Sequence, residues 1–166
     1  MQRIQMVAWT MGIVVAVVVL GPGGLLEAGD ATTAGSRPLA TAIQGVWEPT
    51  VTIRDCASGA VLVSFLSMDT YISDGSYVGV GAPEPHTPGF GRWQYVSGRE
   101  FTARYQFFTY DPGGIPNGRL RVSARITLAP DGTSFTATDR AETLDLDGNP
   151  TFPFVVCGTR KAKRLY

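Results

Sequence analysis

The chain is poor in the side chains that most often carry chemistry. Its 166 residues include one histidine and two cysteines. The histidine, His86, lies with Glu84 in a proline-rich stretch from Ala82 to Gly89, with no nucleophile motif beside it. Two cysteines without a neighbouring histidine do not make a zinc site, because tetrahedral zinc takes four ligands or three plus water. The C-x-x-C spacing of a redox pair is missing. There is no phosphate-binding glycine loop, serine elbow or zinc-protease motif. Asp145-Leu146-Asp147-Gly148-Asn149 has the composition of a calcium loop, but lacks the EF-hand spacing and its distal glutamate, and reads as a polar hairpin turn. These absences imply no metal and no cofactor, and they weigh against an enzyme.

Excess charge is also missing. Lys plus Arg and Asp plus Glu both number 14. Residues 1–28 contain one of each sign, so the balance survives their removal. A neutral domain lacks the basic footprint of a nucleic-acid binder, so nucleic acid is not an expected partner. Helical periodicity is absent as well: no stretch after residue 44 repeats its apolar residues at helical spacing.

What the sequence does contain begins with an address. Arg3 is the only charge before Glu27, and between them runs the apolar segment Met6 to Leu20, followed by Gly21-Pro22-Gly23-Gly24. A basic start, an apolar centre and a small-residue exit describe a secretory signal. The centre is about 15 residues long, short of the ~20 that a spanning helix needs. Residues 1–28 are therefore assigned to a signal peptide cleaved after Ala28, and 29–43 to a flexible leader. The expected location is secreted or periplasmic, with membrane contact only through the signal segment if it stays uncleaved. Export permits oxidation, so Cys56 and Cys157 are expected to form one structural disulfide.

From residue 44 to 166 the pattern has period two and is broken by turn residues such as Asp74-Gly75, Ser97-Gly98, Asp131-Gly132 and Asp147-Gly148. Eight strands are expected: 46–54, 61–73, 76–81, 91–96, 101–110, 119–128, 134–144 and 154–165. In the sixth, Leu120, Val122, Ala124, Ile126 and Leu128 share the face that seeks burial, and Arg119, Arg121 and Arg125 share the solvated one. The fifth buries Phe101, Ala103, Tyr105 and Phe107 by the same rule. The second is assigned Leu62, Leu66, Met68 and Ile72 as its inward set. Short turns join neighbours antiparallel. One-sided strands must cover their apolar faces and hide their edges. A closed eight-stranded antiparallel up-and-down barrel does both, with a two-sheet sandwich as runner-up.

The ends of this domain carry a more specific signal. Gly45-Val46-Trp47 opens the first strand and Gly158-Thr159-Arg160 lies in the last. This resembles the calycin superfamily of lipocalins, avidins and related barrels, in which a G-x-W packs beneath an Arg or Lys of the last strand. The chain also resembles uncharacterised bacterial exported lipocalin-like proteins over residues 44–166. The shared features are a Cys soon after the first strand, Gly89-Phe90-Gly91-Arg92-Trp93, a D-G turn before Ser134-Phe135-Thr136 and a late Cys. The resemblance implies that Trp47 and Arg160 touch at the closed end. The pattern leaves no room for the C-terminal lipocalin helix, which places it nearer avidin, and no biotin-binding set is present.

Arg160 has the inward parity of Phe154 and Val156, and Cys157 the outward one. Asp139 shares the parity of Phe135, Ala137 and Ala141 and is a candidate interior carboxylate. The candidate ligand-binding set is Met68, Trp93, Tyr95, Tyr105, Phe107 and Asp139, with the loop 82–89 over the mouth. Three functions fit. The chain is a binding protein for a small apolar or aromatic ligand, an isomerase or cyclase of the allene-oxide-cyclase or dirigent kind, or a cell-surface structural protein with a packed barrel. The sequence does not specify an oligomeric state.

Overall fold

The structure is a computed structural model that describes residues 38–82 and 87–166, and for 152–154 the backbone alone. The signal segment, most of the leader, Glu84, His86 and the Phe154 side chain lie outside the described residues. Eight strands follow one another: β1 (Gly45–Arg54), β2 (Val61–Tyr71), β3 (Ser76–Gly81), β4 (Gly89–Ser97), β5 (Glu100–Tyr110), β6 (Pro116–Leu128), β7 (Ser134–Leu144) and β8 (Pro150–Arg164). Each pairs antiparallel with the next, and β8 returns to pair with β1, from Trp47 opposite Arg164 to Arg54 opposite Cys157. The fold is a closed eight-stranded up-and-down barrel, so the sandwich alternative falls.

Turn chemistry sets the hairpins. Asp55, Asp74, Asp111, Asp131 and Asp145 each accept a backbone N–H within their own turn. Such turns satisfy the chain reversal locally. Asp145 also accepts the Asn149 side-chain amide at 3.1 Å, so this segment is a polar hairpin turn.

Alternation decides which faces are buried. β5, β6 and β7 turn their expected sets inward: Phe101 and Ala103, Val122, Ala124, Ile126 and Leu128, and Phe135, Ala137 and Ala141 are buried, while Tyr105, Phe107 and Leu120 are half-buried and line a cavity. The second strand is a correction. Leu62, Leu66, Met68 and Ile72 face outward and are exposed, whereas Asp69 and Tyr71 are buried at 1% exposure each. Both parities of β2 are apolar at several positions, so local hydrophobicity does not choose a face. Its register on β1, with Trp47 opposite Asp69, does.

One end of the barrel is packed solid. Trp47 is fully buried, its ring 4.9 Å from that of Phe135 and its indole N–H donating to the Ile43 carbonyl at 2.8 Å. Ile43 is also fully buried and Ala42 nearly so. They follow a short 3-10 turn, Leu39–Thr41. These residues, assigned to the leader, are therefore part of the core. The cation over Trp47 is Arg164, at 4.1 Å from the ring centroid. It also donates to the carbonyls of Ala42, Gln44 and Gly132 at 2.5, 2.6 and 3.0 Å. The expected closure is thus made by the last strand, but through Arg164. Arg160 has the same parity, lies deeper in the barrel and does another job.

Cys56, in the β1–β2 turn, is bonded to Cys157 of β8, with the two Cα atoms 5.1 Å apart. The bridge ties β8 to the far end of β1 across a sequence separation of 101. Closing so long a loop in the unfolded chain predicts a loss of ~2–5 kcal/mol on reduction. Urea denaturation with and without reductant measures it, and equal midpoints would contradict it.

Candidate functional site

Above the packed end the interior opens into a cavity of about 320 Å³. Its walls come from the inward row of nearly every strand: Val51 and Ile53, Val63 and Phe65, Phe107, Leu120 and Val122, Ala141 and Val156. Toward the packed end the lining turns polar. Asp69 from β2, Tyr77 from β3, Tyr105 from β5, Asp139 from β7 and Arg160 from β8 converge there.

Arg160 is the centre of this floor and is 2% exposed. Its Nη1 donates to Asp69 Oδ2 at 2.5 Å and its Nη2 to Asp139 Oδ1 at 3.0 Å. Its Nε lies 2.8 Å from Asp139 Oδ2, but the N–H does not point at that oxygen, so this contact is an ion pair without a hydrogen bond. Asp69 Oδ1 accepts the Ser67 hydroxyl at 3.0 Å. The Tyr77 and Tyr105 rings are 4.5 Å apart, and the Arg160 guanidinium lies 5.8 Å from the Tyr105 ring centroid.

Glycines make room for the charges. Asp69 pairs across the sheet with Gly79, and Asp139 with Gly158. A Cβ on Gly79 would sit 2.3 Å from the Tyr77 hydroxyl and 3.1 Å from Asp69 Oδ1. Only a residue without a side chain permits so close an approach.

Burial sets the protonation behaviour of the floor. Loss of solvation raises the Asp139 carboxyl above its ordinary value, against the pull of Arg160. The same loss raises the Tyr71, Tyr77 and Tyr105 phenols well above theirs. Burial also disfavours the Arg160 charge, but Tyr105, Asp139, Tyr71 and Asp69 outweigh it and hold the guanidinium protonated. The floor is thus a fixed cation flanked by two acids, one of which binds its proton more tightly than a free carboxylate does.

Of the expected ligand-binding residues, Tyr105, Phe107 and Asp139 line this cavity. Met68 does not; it is 56% exposed on the outer face. Trp93 packs in the closed half against Tyr71 and Phe101 and donates its indole N–H to the Ile72 carbonyl at 2.8 Å. Tyr95 lies edge-on to Phe101 at the same end and is 39% exposed. Sequence reasoning missed Asp69 and Tyr77, and placed Arg160 at the barrel base. The available signal was a lone acid in a strand whose own parity also carries Phe65 and Tyr71. Of the segment from Ala82 to Gly89 expected over the mouth, Gly89 lines the cavity, as does Gly81 just before it, and residues 83–86 are outside the described residues.

No family model matches the chain, and no match was found among curated proteins or solved structures.

Proposed function

We propose that this chain is an exported, lipocalin-like binding protein that holds one small apolar or aromatic molecule in its barrel. The observation that carries the reading is the cavity: about 320 Å³, with aliphatic and aromatic walls and polar groups gathered at one end. That volume lies at the lower end of the ~300–1,000 Å³ typical of small-molecule sites, and the division of lining matches theirs. Trp47 beneath an arginine of the last strand supports the calycin likeness. The disulfide supports export into an oxidising compartment. A packed structural barrel would have no use for a cavity walled by unfilled apolar surface.

The test is a fluorescence titration with phenylnaphthylamine, expected to bind one per chain. Ala141→Phe plugs the cavity from a buried wall position, where Ala141 faces Val122 and Val156 across the sheet. It should weaken the probe at least about tenfold, or ~1.4 kcal/mol, with the fold intact. A wild-type protein that binds no probe would sink the reading.

The isomerase or cyclase alternative is favoured by one observation. Asp139 and Tyr105, two of the groups such chemistry would need, meet at Arg160 inside the cavity. A carboxyl with a raised proton affinity beside a substrate pocket is suited to general acid–base work. Tyr95 takes no part, since it lies in the other half of the barrel.

A further inference from the structure

Resting on the reading of the cavity as a ligand site, we propose that its occupant is an apolar amine. The protonated nitrogen seats against the Asp139 and Asp69 carboxylates and the paired tyrosine rings, and the same floor excludes carboxylates such as fatty acids.

Among the described residues that line the cavity, Asp69, Asp139 and Arg160 are the ones that carry full charge. With both acids ionised, the site holds one more negative charge than positive. Water does not dilute this imbalance, because the Arg160 and Asp69 side chains are each 1% exposed and that of Asp139 is 8% exposed. In so dry a site an unmatched charge is costly and a mobile counter-charge is correspondingly favoured.

Hydrogen-bonding capacity points the same way. Each ionised carboxylate accepts at about four lone-pair sites and donates nothing. Here the pair receives the Ser67 hydroxyl and two guanidinium N–H bonds. Acceptor capacity is left over, and Asp139 is the acid more open to the cavity. The guanidinium offers little to an arriving anion, since both terminal nitrogens already hold carboxylates. Its Nε is poorly aligned with Asp139, but an acceptor approaching there would meet Asp139 Oδ2 only 2.8 Å away. A ligand carboxylate would be a third negative group around one cation.

The tyrosines complete the seat. The Tyr77 and Tyr105 rings pack on each other 4.5 Å apart at the cavity floor, and an aromatic pair in a dry site attracts a desolvated ammonium that reaches its π-surface. Their hydroxyls stay protonated, because burial raises both phenols. They add no negative charge and can accept a hydrogen bond from the ligand. Apolar walls above leave space for a hydrocarbon or aromatic body.

Proton linkage follows from the same groups. Asp139 faces Arg160 of β8, Asp69 and Tyr71 of β2 and Tyr105 of β5. Its carboxyl holds its proton more tightly than a free one, so the floor gains its extra negative charge as pH rises through that titration. Amine affinity should therefore rise with pH until Asp139 is fully ionised, and binding should release a proton.

Three ligands with one ring system provide the test: naphthylethylamine, naphthylethanol and naphthylacetic acid, each displacing phenylnaphthylamine from the wild-type protein at neutral pH. The amine should bind at least about tenfold tighter than the alcohol, as expected for a hydrogen bond to a charged partner, and the acid weakest. In Asp139→Asn the ratio of amine to alcohol affinity should fall to about one. If no compound and no probe binds, the cavity reading itself fails. If probe and alcohol bind but the amine gains nothing over them, or the acid binds best, the amine assignment is overturned while the cavity stands. An undiminished amine preference in Asp139→Asn also overturns it. Should that variant not fold, the wild-type pH profile decides: amine affinity that does not fall on acidification rejects the proposal.

Discussion

Trp47→Ala should cost ~3–5 kcal/mol of folding stability and lower Tm by roughly 10 °C or more. The residue is fully buried and touches each part of the closed end at once. Its ring packs on Phe135, its N–H holds the Ile43 carbonyl and its face carries the Arg164 guanidinium. Truncation removes the largest buried side chain of the barrel and leaves a hole bounded by strands that closure prevents from collapsing together. It also removes the ring on which Arg164 rests while that cation bridges three carbonyls. Urea denaturation followed by far-UV circular dichroism measures the effect. A loss below about 0.5 kcal/mol, the level of an ordinary surface change, would show that the closed end does not depend on this residue. The cavity lies in the other half of the barrel, so the folded fraction of the variant should still bind the apolar probe.

Much of the architecture was legible because of simple alternation. From Arg119 to Leu128, β6 puts apolar residues at every second position and arginine, serine or threonine between them, so its face, and by pairing those of β5 and β7, follows directly. β2 was not legible for the converse reason. In Val61–Tyr71 the two parities carry comparable apolar content, Leu62, Leu66 and Met68 against Val63, Phe65 and Tyr71. The register on β1 makes the choice, and it turns Asp69 inward to a guanidinium 91 residues away. Nothing within the strand reveals that partner. Arg160 and Arg164 present a related ambiguity. They share a parity, and which one reaches Trp47 depends on the β1–β8 register, a property of strand tilt and closure that alternation does not encode. Ala42 and Ile43 were hidden by their small, polar neighbours, because a segment that plugs a barrel end needs no period.

The site was legible in direction but not in depth. Parity correctly sends Asp139, Tyr105 and Phe107 inward. It cannot say how far along the barrel axis a side chain lies, and so it gathered Trp93 and Tyr95 into the same set although they sit below the charged floor. Asp69 and Tyr77 were missed, but each carries a mark in hindsight. Tyr77 stands two residues before Gly79, and both buried acids face a glycine on the next strand. That repeated pairing is a three-dimensional pattern, invisible until the register is known.

Arg160→Met should destabilise the protein by ~3–5 kcal/mol near neutral pH, the range expected when one partner of a buried ion pair is removed. Methionine keeps much of the side-chain volume, so lost packing contributes little and the loss reports on charge. Without the guanidinium, Asp69 and Asp139 are two like charges in a dry site, with the Ser67 hydroxyl as the remaining donor bonded to either of them. Both conditions raise carboxyl proton affinity in the folded state above the unfolded value. The folded variant then binds protons more tightly than its unfolded chain, so its stability falls as pH rises from the unfolded value, about 3.9, toward the raised folded values. Acidification should therefore return stability to the variant relative to wild type, whose acids are paired with Arg160. Adding Asp139→Asn to Arg160→Met removes one of the two like charges and should recover part of the neutral-pH loss in the same measurement. Denaturation of wild type, single and double variants at neutral and acidic pH decides it. An equal deficit at both pH values would assign the loss to packing, and an unharmed single variant would mean that Arg160 does not neutralise the buried acids.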